Sequence, residues 1–227
     1  MREVPSHPFK LILFDFDGTL VDSQALIGTA MDEAFTHCGL APPPLSAVCR
    51  VIGLRLEEAI ARLLPPKASP APVDALAAAY REVFFRLRSD PDHLEPVYPG
   101  VPTVLETLNR PEVFLGIATG KSRRGLTASL ERHGLAHHFT VLKTADDGPG
   151  KPHPEIVEQA MAELGVAPAE TLLIGDTVYD MEMAVAARVR AIGAAWGYHE
   201  AQELWAAGAY RVLTQIGELR AAISDLE

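Results

Sequence analysis

The sequence predicts an α/β fold, a doubly wound parallel sheet with an all-helical segment inserted after its first strand. Three observations lead there. From residue 96 onward, short apolar runs alternate with helix-period patterns, the order expected of successive βαβ units. Those runs are continuous rather than alternating, which suits strands covered on both faces. Between the run Leu11–Phe14 and residue 96, only helical patterns occur.

Taken in order, "LILF" at 11–14 is the first strand. "QALIGTAMDEAFTHCGL" then sets Leu26, Ile27, Ala30, Met31, Ala34 and Phe35 on one helical face and stops at Gly39. "GLRLEEAIARLL" and "VDALAAAYREVFFRLRS" are further amphipathic helices, separated by the Pro-rich "PPKASPAP". Strands follow at 113–119, 139–145, 171–176, 189–195 and 210–214, with helices near 101–110, 123–134, 154–165, 179–188 and 200–208. A chain of 227 residues, 48% hydrophobic, suffices for one large domain or a core with a smaller insert.

A net charge of −10 argues against a nucleic-acid partner, whose binding face would carry a basic excess. The two cysteines, Cys38 and Cys49, make no disulfide framework and suit a reducing compartment; Cys38 reads as a small core residue. "MREVPSHPFK" has no apolar stretch for a signal peptide, and no run nears the ~20 residues of a membrane helix. With a mean hydropathy of +0.09, a soluble, cytoplasmic protein with no membrane partner is expected.

Ligands of an open parallel sheet bind beyond the carboxyl ends of its strands. There the sequence places Asp15-Phe16-Asp17-Gly18-Thr19, Thr119-Gly120-Lys121, "DDGPGKPHP" with Lys151, and "GDTVYD" with Asp176 and Asp180. Asp15, Asp17 and Asp176 would repel one another without a cation. Mg²⁺, which takes oxygen ligands and keeps several waters, suits them better than zinc, for which no His/Cys spacing exists. Lys151 supplies positive charge for a phosphoryl group and Thr119 a hydroxyl. Gly18 and Gly120 let backbone N–H groups approach phosphate oxygens closely.

"DFDGTLVDS", Thr119 after a strand, "GKPHPE" and "GDTVYD" together resemble the four signature segments of haloacid dehalogenase superfamily phosphatases. Four such segments in order, each at a strand end, are far more specific than any one. The helical insert and the C-terminal "AIGAAWGYHEAQELWAAGAYRVLTQIGEL" are similar to the phosphoglycolate-phosphatase-like branch. The resemblance implies a Rossmann-like catalytic core over 1–23 and 96–227 and a helical cap over 24–95. It implies Asp15 as nucleophile, forming an aspartyl-phosphate, and Asp17 as general acid and base. Mg²⁺ would be held by Asp15, the Asp17 carbonyl and Asp176, with Asp180 orienting a metal-bound water or Lys151. Thr119 and Lys151 would hold the phosphoryl group. A small phosphorylated metabolite is the expected substrate, phosphoglycolate first. Within the cap, Arg55 would contact the leaving group.

One departure stands out: Arg188 ends a helix where such phosphatases usually have glycine, at a cost of ~1 kcal/mol if the left-handed conformation is kept. Other polar residues have simpler readings. Asp22 is a polar or capping residue near the hinge, His153 and His199 are structural or rim groups, and His137-His138 is a solvated helix end. Arg50, Arg62 and Lys67 are solvated helix charges. Rival functions are a β-phosphoglucomutase-like phosphosugar mutase and a non-catalytic phosphate-binding protein on the same fold. A 2-haloacid dehalogenase would lack the second aspartate, and a signalling receiver would be about half as long.

Overall fold

A computed structural model describes residues 9–65, 71–89 and 95–225. The chain starts with β1 (Leu11–Phe14) and passes into α1 (Gln24–His37), α2 (Leu45–Cys49), α3 (Leu56–Leu63) and α4 (Ala71–Arg88). It returns through α5 (Val101–Leu108) to β2 (Phe114–Ala118), then α6 (Arg123–His133) and β3 (Val141–Lys143). The last units are α7 (Glu155–Leu164), β4 (Thr171–Gly175), α8 (Val178–Ala187), β5 (Arg190–Ala194), α9 (Ala201–Ala206), β6 (Arg211–Leu213) and α10 (Leu219–Ser224).

The six strands pair in the order β3-β2-β1-β4-β5-β6, every pair parallel. Every β1 side chain is buried, and alternate ones serve opposite faces. Ile12 and Phe14 join a core with Val104, Leu105, Leu126, Leu130, Leu219 and Ile223 from α5, α6 and α10. Leu11 and Leu13 join the other, with Ile156, Met161, Met181, Ala184 and Leu204 from α7, α8 and α9. Burying each large apolar side chain is worth ~1.5–3 kcal/mol, so helices on both faces follow from the unbroken apolar runs. Strand order reverses at β1, between β2 and β4. That opens the crevice where ligands of such sheets bind.

The insert has a core of its own, in which Ile27, Met31 and Phe35 of α1 meet Val48, Ile52, Ile60 and Leu76. Its two ends lie side by side. Val21 bridges both Asp17 and Val97, Asp22 N donates to Pro96 O at 2.8 Å, and Tyr98 N donates to Leu20 O at 3.0 Å. Asp22 Oδ1 accepts from Gln24 N at 3.2 Å at the start of α1. On the far side, Arg50 makes a two-pronged pair with Glu203 at 2.6 and 2.7 Å. Arg62 donates to Tyr179 Oη at 3.0 Å, and that hydroxyl donates to Arg50 O at 2.9 Å.

Several expectations need correction. Arg50 and Arg62 are insert-to-core links rather than merely solvated charges. His138 is buried, not solvated, because a 3-10 turn over Ala136–His138 brings it inward beside Phe139; burial lowers its pKa. The helix expected from Gly53 begins at Leu56, since Gly53 has φ +98° and Arg55 is extended. Cys38 is half-buried at the edge of the insert's core. The short α2 and the terminal α10 are additional to the expected elements, and Lys67 lies outside the described residues. Arg188 does adopt the left-handed conformation, φ 60° and ψ 32°. Among the described residues, no helix is long and apolar enough to cross a membrane.

Candidate active site

The carboxyl ends of β1, β2 and β4 converge because those strands are neighbours, and each is followed directly by a polar residue, Asp15, Thr119 or Asp176. Asp15 follows β1 and is 1% exposed. Its Oδ1 accepts from Phe16 N at 2.7 Å, and its Oδ2 lies 2.7 Å from Lys151 Nζ. Lys151 is equally buried and reaches Asp180 Oδ1 at 2.6 Å. Asp180 is fixed by the first turn of α8, where its Oδ2 accepts from Thr177 N at 3.1 Å and Thr177 Oγ1 at 2.6 Å. This reciprocal cap satisfies helix N–H groups that would otherwise lack partners. It also aims the other Asp180 oxygen at Lys151.

Asp176, at the end of β4, accepts from Thr19 Oγ1 at 2.9 Å and from Tyr198 N at 2.9 Å. Gly18 is required beside it: its φ is +84°, and a Cβ there would lie 2.2 Å from Asp176 Oδ2. Oxygens of Asp15, Asp176 and Asp180 all lie within 4.8 Å of one another. The Asp17 carboxylate is outside this cluster. It turns to Lys121, whose Nζ donates to Asp17 Oδ1 at 2.8 Å and to Glu95 Oε1 at 2.9 Å.

Electrostatics follow from this burial. Desolvation pushes the Asp15 carboxyl up to about 7 against the pull of Lys151, and the charges of Asp180 and Asp17 add to the rise. Burial likewise raises Asp176, helped by Asp15 and Asp180. Burial alone would lower Lys151, but Asp15 and Asp180 hold its ammonium above the usual lysine range.

Thr119 is buried at the end of β2, its Oγ1 accepting from Lys121 N at 3.2 Å. Gly120 faces the insert so closely that a Cβ would lie 2.3 Å from Gly53 O. Between the two parts is a cavity of about 300 Å³, with Asp15, Asp17, Thr119 and Gly120 on the sheet side and residues of α1 and α4 opposite. Arg55 borders it, but its Nη1 donates to Gly148 O at 3.3 Å, on the loop leading to Lys151. His199 is buried and its Nδ1 accepts from Val178 N at 3.1 Å, while His153 is exposed.

Sequence reasoning gave no role to Thr19, Tyr198, Lys121 or Glu95. Thr19 and Lys121 lie within the strand-end segments Asp15–Thr19 and Thr119–Lys121, and that position is their signal. Glu95 is fully buried, accepting from Lys121 and from Ser129 Oγ at 3.0 Å; nothing in "LEPVYPG" signals that.

Comparison with known proteins agrees with this geometry. The family described as haloacid dehalogenase-like hydrolase matches residues 12–194. "Probable phosphatase IndB" of Dickeya dadantii is 35% identical over 217 residues, covering 95% of this chain and 94% of the relative. A phosphoglycolate phosphatase of Pseudomonas putida is 29% identical, covering 95% of this chain and 80% of its own. The crystal structure of a hydrolase from Pseudomonas syringae superposes with a TM-score of 0.84 at 27% identity, covering 96% of this chain and 99% of that one. The chain belongs to the haloacid dehalogenase-like hydrolases, on their phosphatase branch.

Proposed function

We propose that the protein hydrolyses phosphate monoesters of small organic alcohols, with Mg²⁺ as cofactor and Asp15 as the group that takes the phosphoryl. The observation that carries this is the position of two adjacent carboxylates. Asp15 and Asp17 both border the cavity, one held by Lys151 and the other by Lys121.

The donor set fits Mg²⁺. Three buried carboxylates have oxygens within 4.8 Å of one another, and the Lys151 ammonium pairs with two of them, Asp15 and Asp180. When all three ionise, two negative charges remain uncompensated in a water-poor site, and hard oxygen donors select a hard divalent cation. Asp15, Asp176 and the Asp17 main-chain carbonyl would hold it, Asp180 being committed to Lys151 and Thr177. When bound, Mg²⁺ supplies charge neutralisation for the phosphoryl oxygens.

The side chains do the rest. A carboxylate oxygen of Asp15 attacks phosphorus, and the bond from phosphorus to the ester oxygen breaks. Asp17 gives its proton to that departing oxygen. In the second half, Asp17 takes a proton from a water whose oxygen attacks the same phosphorus, releasing phosphate and restoring the Asp15 carboxylate. Lys151 and the Thr119 hydroxyl steady the phosphoryl oxygens throughout. The helical insert acts as a cap over the site, shielding the acyl phosphate from stray acceptors. Phosphoglycolate, named for several relatives, is the reference substrate. Phosphate release from phosphoglycolate and an aryl phosphate, with Mg²⁺ and after chelation, tests the proposal; no Mg²⁺-dependent release from any ester would refute it.

A further inference from the structure

We infer that the preferred substrate is a phosphate monoester whose alcohol carries a ring or a branched apolar body, and that phosphoglycolate is a poor one. This rests on the reading of the site as a phosphomonoesterase and concerns only what the site accepts beyond the phosphoryl group.

The first observation is the wall opposite Asp15 and Asp17. Ile27, Met31, Val48, Ile52, Tyr80 and Phe84 line it, and the Tyr80 and Phe84 rings stack with centroids 5.6 Å apart. All six are apolar or aromatic, and they come from three separate stretches of the insert. A two-carbon acid presents almost nothing for such a wall to cover. A ring or branched chain would gain from it, since each methylene packed in an apolar pocket is worth about tenfold in discrimination.

Size agrees. A cavity of about 300 Å³ stands at the lower end of the ~300–1,000 Å³ usual for small-molecule sites. The phosphoryl group takes part of that beside Asp15. The remainder exceeds what the two carbons and carboxylate of glycolate fill.

The test is a set of esters whose leaving alcohols have comparable acidity, so that chemistry is held level while shape varies: ethyl, isobutyl, 2-phenylethyl and cyclohexylmethyl phosphate, with phosphoglycolate beside them. The wild-type protein with Mg²⁺ should show kcat/KM for the ring-bearing or branched esters at least tenfold above ethyl phosphate and phosphoglycolate, mainly through KM. Replacing Phe84→Ala, or independently Tyr80→Leu should the first fold poorly, should shrink the ratio of 2-phenylethyl to ethyl phosphate several-fold. Phosphoglycolate turned over as well as or better than the bulky esters would overturn the inference and leave the phosphatase reading standing. No Mg²⁺-dependent hydrolysis of any ester would overturn both.

Discussion

Lys121 ties Asp17 to Glu95: its ammonium lies 2.8 Å from one carboxylate and 2.9 Å from the other, and Glu95 is wholly buried where the chain returns from the insert. The proposed acid–base residue is thus fixed to the returning linker through one lysine. Burial would raise the Glu95 carboxyl, but Lys121, Ser129 and Arg88 hold it below the usual range. Removing one member of a buried charged set costs about 3–5 kcal/mol. Glu95→Ala should fall near the lower end, because Lys121 keeps Asp17, and should lower kcat more than it raises KM. Glu95→Gln should recover most of kcat. Urea denaturation and steady-state kinetics check this, and a Glu95→Ala protein with wild-type kcat would sever the link to Asp17.

Asp15→Asn and Asp17→Asn should each lower turnover about a thousandfold or more with native circular dichroism, since one loses the nucleophile and the other the proton carrier. Retention of a tenth of wild-type activity by a well-folded Asp15→Asn protein would rule out the covalent route.

Asp15 also sets a pH dependence. Its folded carboxyl stands at about 7 against 3.8 for the isolated group. Between those values the native protein binds more protons than the unfolded chain, so this group's contribution to stability falls as pH rises through that window. Without Mg²⁺, Asp15→Asn should therefore raise Tm more at pH 8 than at pH 5, by about 2–4 °C for each kcal/mol relieved. Added Mg²⁺ should raise the wild-type Tm more than that of the variant. Equal Tm differences at both pH values would contradict this.

Asp176→Ala should raise the Mg²⁺ concentration required for activity and reduce the maximal rate. Asp180→Ala should act chiefly through Lys151, slowing turnover on the order of 10–100-fold. Mg²⁺ titrations of the two variants should separate these roles; an unshifted curve for Asp176→Ala would exclude it as a ligand.

Arg188 is the non-glycine residue at positive φ among those described, and its side chain is exposed. Relief of the left-handed strain should make Arg188→Gly more stable by up to roughly 1 kcal/mol, partly offset by the entropy of the glycine. Turnover should not change. Thermal unfolding decides, and a destabilised variant would show that the strain is already relieved.

How much of this was legible beforehand depends on how local each signal is. Short apolar runs such as Leu11–Phe14 and Leu172–Ile174, alternating with helical patterns, suit strands buried on both faces, so the sheet was readable with boundaries off by a residue or two. Asp15, Lys151 and Asp176 were readable as strand-end groups, because the parallel order forces those ends together. The five-residue α2 is too short to show a helical period. His138 looked like a solvated helix end because its burial depends on a turn packed against the core. Long-range partners are equally hidden in the sequence for Arg50, Arg55 and Glu95. Each is a charged residue on an ordinary-looking segment, and its partner, Glu203, Gly148 or Lys121, is distant in sequence.

Val21 has a further consequence through its bridges to Asp17 on one side and Val97 on the other. The outgoing and returning strands are pinned within one hydrogen-bond spacing, Asp22 N to Pro96 O and Tyr98 N to Leu20 O. The segment between them is a parenthesis in the chain: its two ends meet the sheet at one point, whatever lies inside. Lineages could therefore exchange that parenthesis as a unit, altering which alcohols are admitted, without shifting a single strand register beneath Asp15.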